Sequence, residues 1–85
     1  MEAQSIRSLN YHDRIRLLKR YGNYLTTRIN SYYYIKLYSI SGQFVEIWSS
    51  SHIPWEGIVK IKVLNNTKAL EPYLSKELFQ RVAMQ

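Results

Sequence analysis

The sequence predicts an α+β domain with two layers, in which a helix, a three-stranded antiparallel meander and a second helix follow one another, with both helices on one sheet face. Three observations predict this class. Apolar residues recur at helical spacing after Asn10, strand-like runs flank Ser41-Gly42, and leucines recur every fourth residue from Leu70. A chain of 85 residues suffices for one small domain. We assign residues 1–9 to a flexible lead-in and residues 10–85 to a single α+β domain.

The first helix is predicted to begin after Asn10, a favourable N-cap residue that is followed three positions later by Asp13. The apolar stripe of this helix advances in steps of four and three through Tyr11, Ile15, Leu18, Gly22, Leu25 and Ile29. Gly22 has two interpretations: it either ends the helix as a C′ residue or remains helical at a cost of about 1 kcal/mol. Because the stripe continues beyond Gly22, we favour a continuous helix.

A β-hairpin is predicted between residues 32 and 48, since β-branched and aromatic runs flank the turn signal Ser41-Gly42. A three-residue bulged loop that ends in the glycine places Lys36 opposite Glu46, which is a favourable cross-strand charge pair. A two-residue turn instead places Glu46 opposite Leu37, beside the aliphatic residues. We therefore prefer the register of the three-residue loop.

The preferred register gives the hairpin two different faces. The aliphatic face suits a core beneath the helices and carries Tyr33, Ile35, Leu37, Val45 and Ile47. The aromatic and charged face is the predicted interaction face, and it carries Tyr34, Lys36, Tyr38, Phe44, Glu46, Trp48, Lys60 and Lys62. Such a face is either a contact surface or a second, partly covered core, and the residues alone do not decide between the two.

A third strand is predicted over residues 58–64, where aliphatic side chains alternate with lysines after a loop that contains Pro54. Asn65-Asn66-Thr67 then closes the strand and supplies a helix cap. A second helix is predicted to follow, because apolar residues recur every fourth position at Leu70, Leu74, Leu78 and Val82, and Pro72 suits a first helical turn.

Few residues indicate catalysis. The chain has no cysteine, which excludes a disulfide framework and a thiolate metal site. The serines at 49–51 precede His52 and Glu56, and together they supply the components of a nucleophilic triad, but a flexible loop does not hold them rigidly. Three scattered glycines exclude a glycine-rich phosphate loop. We predict that the chain is not an enzyme, that it uses no cofactor and no metal, and that no small-molecule substrate is evident.

The partner class follows from charge and aromatic content. A formal net charge of +6 favours anionic partners, but it also keeps a small domain soluble, and the spread of basic residues favours the second interpretation. We predict a protein-interaction or self-association module whose partner is a protein or, as a homodimer, a second copy. The alternative is single-stranded nucleic-acid binding, in which the rings of the interaction face stack bases and its lysines hold phosphates.

No apolar run in the sequence is long enough to span a membrane, and the first ten residues lack a signal-peptide pattern. We therefore expect a cytoplasmic protein.

Short motifs stand out along the chain, namely Arg20-Tyr21-Gly22, Lys36-Leu37-Tyr38, Gly42-Gln43-Phe44-Val45-Glu46-Ile47-Trp48 and Leu70-Glu71-Pro72-Tyr73-Leu74. Together they resemble a group of short uncharacterised bacterial proteins, in which a helix precedes a hairpin of this form and a Pro-Tyr-Leu segment follows the third strand. The resemblance covers residues 11–78 and implies no activity. The loop that contains His52 and Trp55 departs from the pattern of the group, so the resemblance implies no role for it.

Overall fold

The computed structural model of the protein describes residues 6–74. Its elements, in chain order, are a 3₁₀ turn (Ile6–Ser8), α1 (Tyr11–Tyr21), β1 (Asn23–Asn30), β2 (Tyr33–Ile40), β3 (Gln43–Ser49), β4 (Ile58–Val63) and a 3₁₀ helix (Thr67–Tyr73). The strands form one antiparallel sheet in the order β1-β2-β3-β4. The α+β class and the antiparallel sheet are confirmed, but the predicted count of three strands is wrong because β1 adds a fourth.

α1 begins where the sequence predicts. The Asn10 side-chain oxygen accepts a hydrogen bond from the Asp13 backbone N–H at 2.8 Å. This N–H lies in the first turn and has no acceptor within the helix, so the cap supplies its partner. The helix ends at Tyr21, because Gly22 adopts an extended conformation while its N–H donates to the Leu18 carbonyl at 2.9 Å. A Cβ atom on Gly22 would lie 2.6 Å from that carbonyl oxygen, so this close approach requires glycine.

The predicted continuation of the first helix through Leu25 and Ile29 is wrong, because these residues belong to β1. The β-branched pair Thr26-Thr27 favours a strand, and a tight turn with Ser31 at φ 52° returns the chain antiparallel into β2. A bulge between Tyr24 and Thr26 shifts the register within β1.

The hairpin of β2 and β3 uses the two-residue turn. Ser41 and Gly42 both have positive φ, at 47° and 76°, which is the signature of a type I′ turn, and Glu46 pairs with Leu37. The predicted pairing of Lys36 with Glu46 is therefore wrong. A cross-strand charge pair contributes only roughly 0.2–1 kcal/mol, which is too little to outweigh a tight turn whose twist suits the two strands.

The observed register defines two sheet faces, since directly paired residues project to the same side. The helix face, as we name it, carries Tyr24, Thr27, Ile29, Tyr34, Lys36, Tyr38, Ile40, Val45, Ile47, Ser49, Ile61 and Val63. The opposite face carries Thr26, Arg28, Tyr33, Ile35, Leu37, Phe44, Glu46, Trp48, Lys60 and Lys62.

The main core lies between α1 and the helix face. Leu18 of α1 and Ile6 of the 3₁₀ turn are buried against Tyr38, Ile40, Val45, Ile47 and Val63. The region predicted as a flexible lead-in therefore includes a packed side chain, and the Arg14 Nε donates to the Ile6 carbonyl at 3.1 Å. Each such fully buried aliphatic side chain contributes about 1.5–3 kcal/mol relative to exposure.

The opposite face carries a second buried layer, because Ile35 and Leu37 lie there and are almost inaccessible to solvent. The 3₁₀ helix meets this face through Tyr73, whose hydroxyl donates to Glu46. The prediction that both helical segments share one sheet face is therefore wrong for the described residues. The rest of the predicted second helix, with Leu78 and Val82, lies outside the described residues. Among residues 6–74, no helix has the length and apolar character that a membrane crossing demands.

Candidate interaction surface

The eight residues predicted to form one interaction face are divided between the two sheet faces. Tyr34, Lys36 and Tyr38 lie on the helix face, whereas Phe44, Glu46, Trp48, Lys60 and Lys62 lie on the opposite face. Their predicted grouping is wrong, because the two-residue turn shifts β2 by one position relative to β3. Their role in binding a partner stays a prediction.

Glu46 forms a buried hydrogen-bond cluster on the opposite face. Its Oε2 accepts a hydrogen bond from the Tyr73 hydroxyl at 2.6 Å and another from Arg28 Nη2 at 3.2 Å. Its Oε1 accepts one from Trp48 Nε1 at 3.0 Å. The carboxylate is almost inaccessible to solvent, and its hydrogen bonds link β1 and the 3₁₀ helix to β3.

The protonation states of the cluster follow from these contacts. Burial alone raises the pKa of Glu46, but hydrogen bonds from Tyr73, Trp48 and Arg28 outweigh burial and hold that pKa below its ordinary value. Burial and the hydrogen bond to Glu46 raise the pKa of Tyr73 well above its usual range. Burial lowers the pKa of Arg28, yet its hydrogen bonds to Tyr73 and Glu46 leave the pKa raised. The cluster therefore holds a carboxylate anion, a neutral phenol and a guanidinium cation.

Trp48 is surrounded by groups of its own chain. Lys60 Nζ lies 4.8 Å from the Trp48 ring centroid, and the Arg28 guanidinium carbon lies 5.7 Å from it. The Tyr33 ring lies against the same indole at 5.8 Å. A nucleobase that stacked on Trp48 would have to displace these contacts, which weighs against the single-stranded nucleic-acid alternative.

A cleft of about 400 Å³ lies beside the Glu46 cluster, between the sheet and the 3₁₀ helix. It is lined by Arg28, Glu46, Lys62, Leu64, Lys68, Ala69, Glu71 and Pro72. The cleft thus presents charges of both signs, and the oxygens of Glu46 already accept hydrogen bonds from the chain. In the part of the chain that the structure describes, histidine and carboxylate side chains do not gather in groups of three that could hold a metal ion.

The components of a nucleophilic triad in the loop between β3 and β4 are not assembled. His52 is exposed and its ring lies 5.8 Å from that of Tyr34. Within residues 6–74, neither a hydrogen bond nor an ion pair links His52 to Glu56. Among the described residues, Glu56 therefore does not orient the His52 ring.

Exposed apolar side chains concentrate at β1 and its two ends. Tyr21, Tyr24 and Leu25 are exposed, and the exposed fractions of Ile29 and Tyr32 reach 72% and 85%. β1 lies at an edge of the sheet, so among the described residues one side of its backbone has no neighbouring strand. This surface was not predicted from the sequence, because Leu25 and Ile29 were assigned to the buried stripe of a helix.

β1 lacks the usual protection of an edge strand. Such strands commonly carry lysine, proline or outward charges that prevent pairing with another chain. β1 contains no lysine and no proline, and its one charged residue, Arg28, turns towards Glu46. The bulge near Tyr24 is its one protective irregularity.

Comparisons of the chain with known proteins return no match among protein-family models, curated proteins or solved structures. The resemblance to short bacterial proteins thus stays a prediction.

Proposed function

We propose that the protein is a non-catalytic association module, and that a second copy of the chain pairs with it along the outer edge of β1. The observation that supports this proposal is an eight-residue, solvent-exposed edge strand that carries exposed Tyr24, Leu25 and Ile29 and has neither lysine nor proline. Pairing of two such strands supplies backbone hydrogen bonds along their length, while the exposed side chains supply apolar contact area.

A second copy suits this edge better than an unrelated partner. Two β1 strands related by a two-fold axis run antiparallel, so each copy offers the other the same surface and the assembly closes as a dimer. Tyr24 and Ile29 project to the same face, because they pair with Tyr38 and Tyr34 of β2. In the dimer these exposed rings and aliphatic groups form cross-strand contacts of a favourable aromatic and β-branched type.

The net charge of +6 on each copy opposes dimerisation over long range, but the geometry of β1 limits this repulsion. The guanidinium of Arg28 is paired with Glu46 at 3.2 Å, so the edge itself carries little uncompensated charge. We expect a dissociation constant in the micromolar range, which corresponds to about 8 kcal/mol of association free energy. The affinity should rise with salt, since salt screens the repulsion between the two copies.

Sedimentation velocity over a range of about 1 to 100 µM tests the proposal, since this range brackets micromolar affinity. The substitution Ile29→Lys places a charge on the edge and should leave a monomer, because the ammonium would lose water on pairing. Val59→Lys is the matched control: it adds the same charge at another exposed apolar residue, on the far edge strand β4.

The proposal requires a dimer of the unmodified chain, dissociation by Ile29→Lys and an unchanged dimer with Val59→Lys. Circular dichroism of all three proteins establishes that each is folded. A folded chain that stays monomeric throughout the concentration range would contradict the proposal. So would a dimer that Ile29→Lys leaves intact.

A further inference from the structure

Within residues 6–74, two buried polar side-chain groups on the helix face have no hydrogen-bond partner. Lys36 is 8% exposed, and its ammonium, with three N–H donors, contacts no acceptor of the described residues. Ser49 is 1% exposed and its hydroxyl also lacks a partner. Buried polar groups in folded proteins are almost always hydrogen-bonded, so each exception calls for a physical explanation.

The two groups lie close together in the sheet. Ser49 pairs directly with Tyr34, and Lys36 is two residues further along β2 on the same face. The Lys36 Nζ lies 6.0 Å from the Tyr34 ring centroid, so its side chain extends back towards the pair of Tyr34 and Ser49. Both unpartnered groups therefore occupy the same end of the helix face.

The loop at 50–57 contacts the two tyrosines that flank Lys36 on the helix face. Its His52 ring lies 5.8 Å from the Tyr34 ring, and its Trp55 ring lies 5.4 Å from the Tyr38 ring. Lys36 lies between these two tyrosines on β2. A hydrogen bond from the Ser50 N–H to the Gly57 carbonyl, at 2.9 Å, closes the base of the loop.

No carboxylate of the described residues neutralises Lys36. Glu46 projects to the opposite face and binds Arg28, and Glu71 lines the cleft there. Glu56 is exposed in the loop, and Asp13 lies in the first turn of α1. A desolvated ammonium without a counter-charge is strongly unfavourable, so an anion that reached it would gain a large part of its binding energy from charge.

We propose that Lys36 and Ser49 bind a small oxyanion, a carboxylate or phosphate group, on the helix face beside the loop at 50–57. The ammonium and the hydroxyl both donate hydrogen bonds, and oxyanions accept them on several oxygens. The partial exposure of Tyr34 and the exposure of His52 leave this end of the site within reach of solvent. This site is separate from the outer edge of β1.

NMR titration of the unmodified, ¹⁵N-labelled chain tests the proposal, with inorganic phosphate in one series and acetate in another at constant ionic strength. We expect saturable shifts of the Lys36 and Ser49 amides and of the Lys36 side-chain resonance. The tighter of the two probes identifies the class of oxyanion. Lys36→Met should abolish the response, and Ser49→Ala should weaken affinity by about tenfold, as expected for one lost hydrogen bond to a charged group.

Lys62→Met is the matched control, because it removes the same charge from an exposed lysine on the opposite face and should leave the affinity unchanged. If Lys36→Met does not fold, Ser49→Ala and the side-chain resonance of the unmodified chain decide the matter. The proposal is overturned by an absence of saturable shifts. An equal loss of affinity in Lys62→Met, or unchanged affinity in Ser49→Ala, overturns it as well.

Discussion

Replacement of Glu46 by glutamine should destabilise the fold more than any other single exchange of a carboxylate for an amide among the described residues. The carboxylate accepts hydrogen bonds from three donors, namely Tyr73, Arg28 and Trp48. An amide offers one acceptor oxygen and one donor group. In Glu46→Gln, at least one of the three N–H or O–H donors therefore faces an NH₂ group, and Arg28 loses its counter-charge.

The magnitude follows from burial. Removing one member of a buried ion pair costs about 3–5 kcal/mol. The Arg28 side chain is 24% exposed, so water offsets part of this cost, and Tyr73 still donates to the amide oxygen. We expect a loss of about 3 kcal/mol. A domain of this length has a total stability of about 4–13 kcal/mol, so the melting temperature should fall by about 12–24 °C.

Urea unfolding of the unmodified chain and of Glu46→Gln as a function of pH measures the loss of stability and shows whether it comes from the charge of Glu46. The folded pKa of Glu46 lies below the ordinary value of 4.5, so the contribution of the carboxylate is fully present above that value. It is lost as the pH falls through the folded pKa. The difference in stability between the two proteins should therefore be constant near neutral pH and shrink in acid.

Glu56→Gln is the control, because Glu56 is exposed, and it should change stability by less than about 0.5 kcal/mol. A loss below about 1 kcal/mol in Glu46→Gln would refute the reasoning, since it would match an ordinary hydrogen bond rather than a buried charged cluster. A difference in stability that does not depend on pH would refute the role of the charge.

Three further predictions concern the capping residue, two glycines and the tyrosine of the cluster. Asn10→Ala removes the acceptor of a helix amide and should cost about 1 kcal/mol in urea unfolding. Gly42→Ala should cost about 1–2 kcal/mol of stability, because residue 42 has a left-handed φ of 76°. Gly22→Ala should cost more, since the added Cβ would lie 2.6 Å from the Leu18 carbonyl oxygen. Equal melting temperatures of the two variants would contradict this order. Because the pKa of Tyr73 is raised in the folded state, its contribution to stability is fully present below the ordinary value of 10.0 and is lost as the pH rises through the folded pKa. Tyr73→Phe should therefore flatten the alkaline part of the stability curve.

The elements that the sequence predicted correctly depend on interactions between residues close together in the chain. The N-cap at Asn10 and the cap at Asn66, which accepts from the Ala69 N–H at 3.3 Å, are side-chain preferences that act within one turn. The strands on either side of Ser41-Gly42 follow from β-branched residues and a turn signal, and β4 follows from strict alternation.

β1 was missed because two periodicities competed over the same residues. Leu25 and Ile29 continue the helical spacing of α1, so they were assigned to a longer helix, although the β-branched pair Thr26-Thr27 favours a strand. The close contact of Gly22 with the Leu18 carbonyl, which ends the helix, depends on backbone geometry that a hydrophobic pattern does not register.

The division of the predicted interaction face has a different cause. The predicted register places the aliphatic residues of the hairpin on one buried face, whereas both faces of the sheet bury aliphatic residues. Ile35 and Val45 point in opposite directions and are both inaccessible to solvent. The Glu46 cluster joins residues that are 18 and 27 positions apart in the chain. No local motif predicts such a cluster, because it exists only once β1 and the 3₁₀ helix have packed against β3.

Amide hydrogen exchange at two protein concentrations, one below and one well above micromolar, tests the central claim most directly. If copies of the chain pair along β1, the outward-pointing amides between residues 23 and 30 exchange more slowly at high concentration. The amides of the other edge strand, β4, keep the same rates. Rates along β1 that do not depend on concentration would contradict the claim.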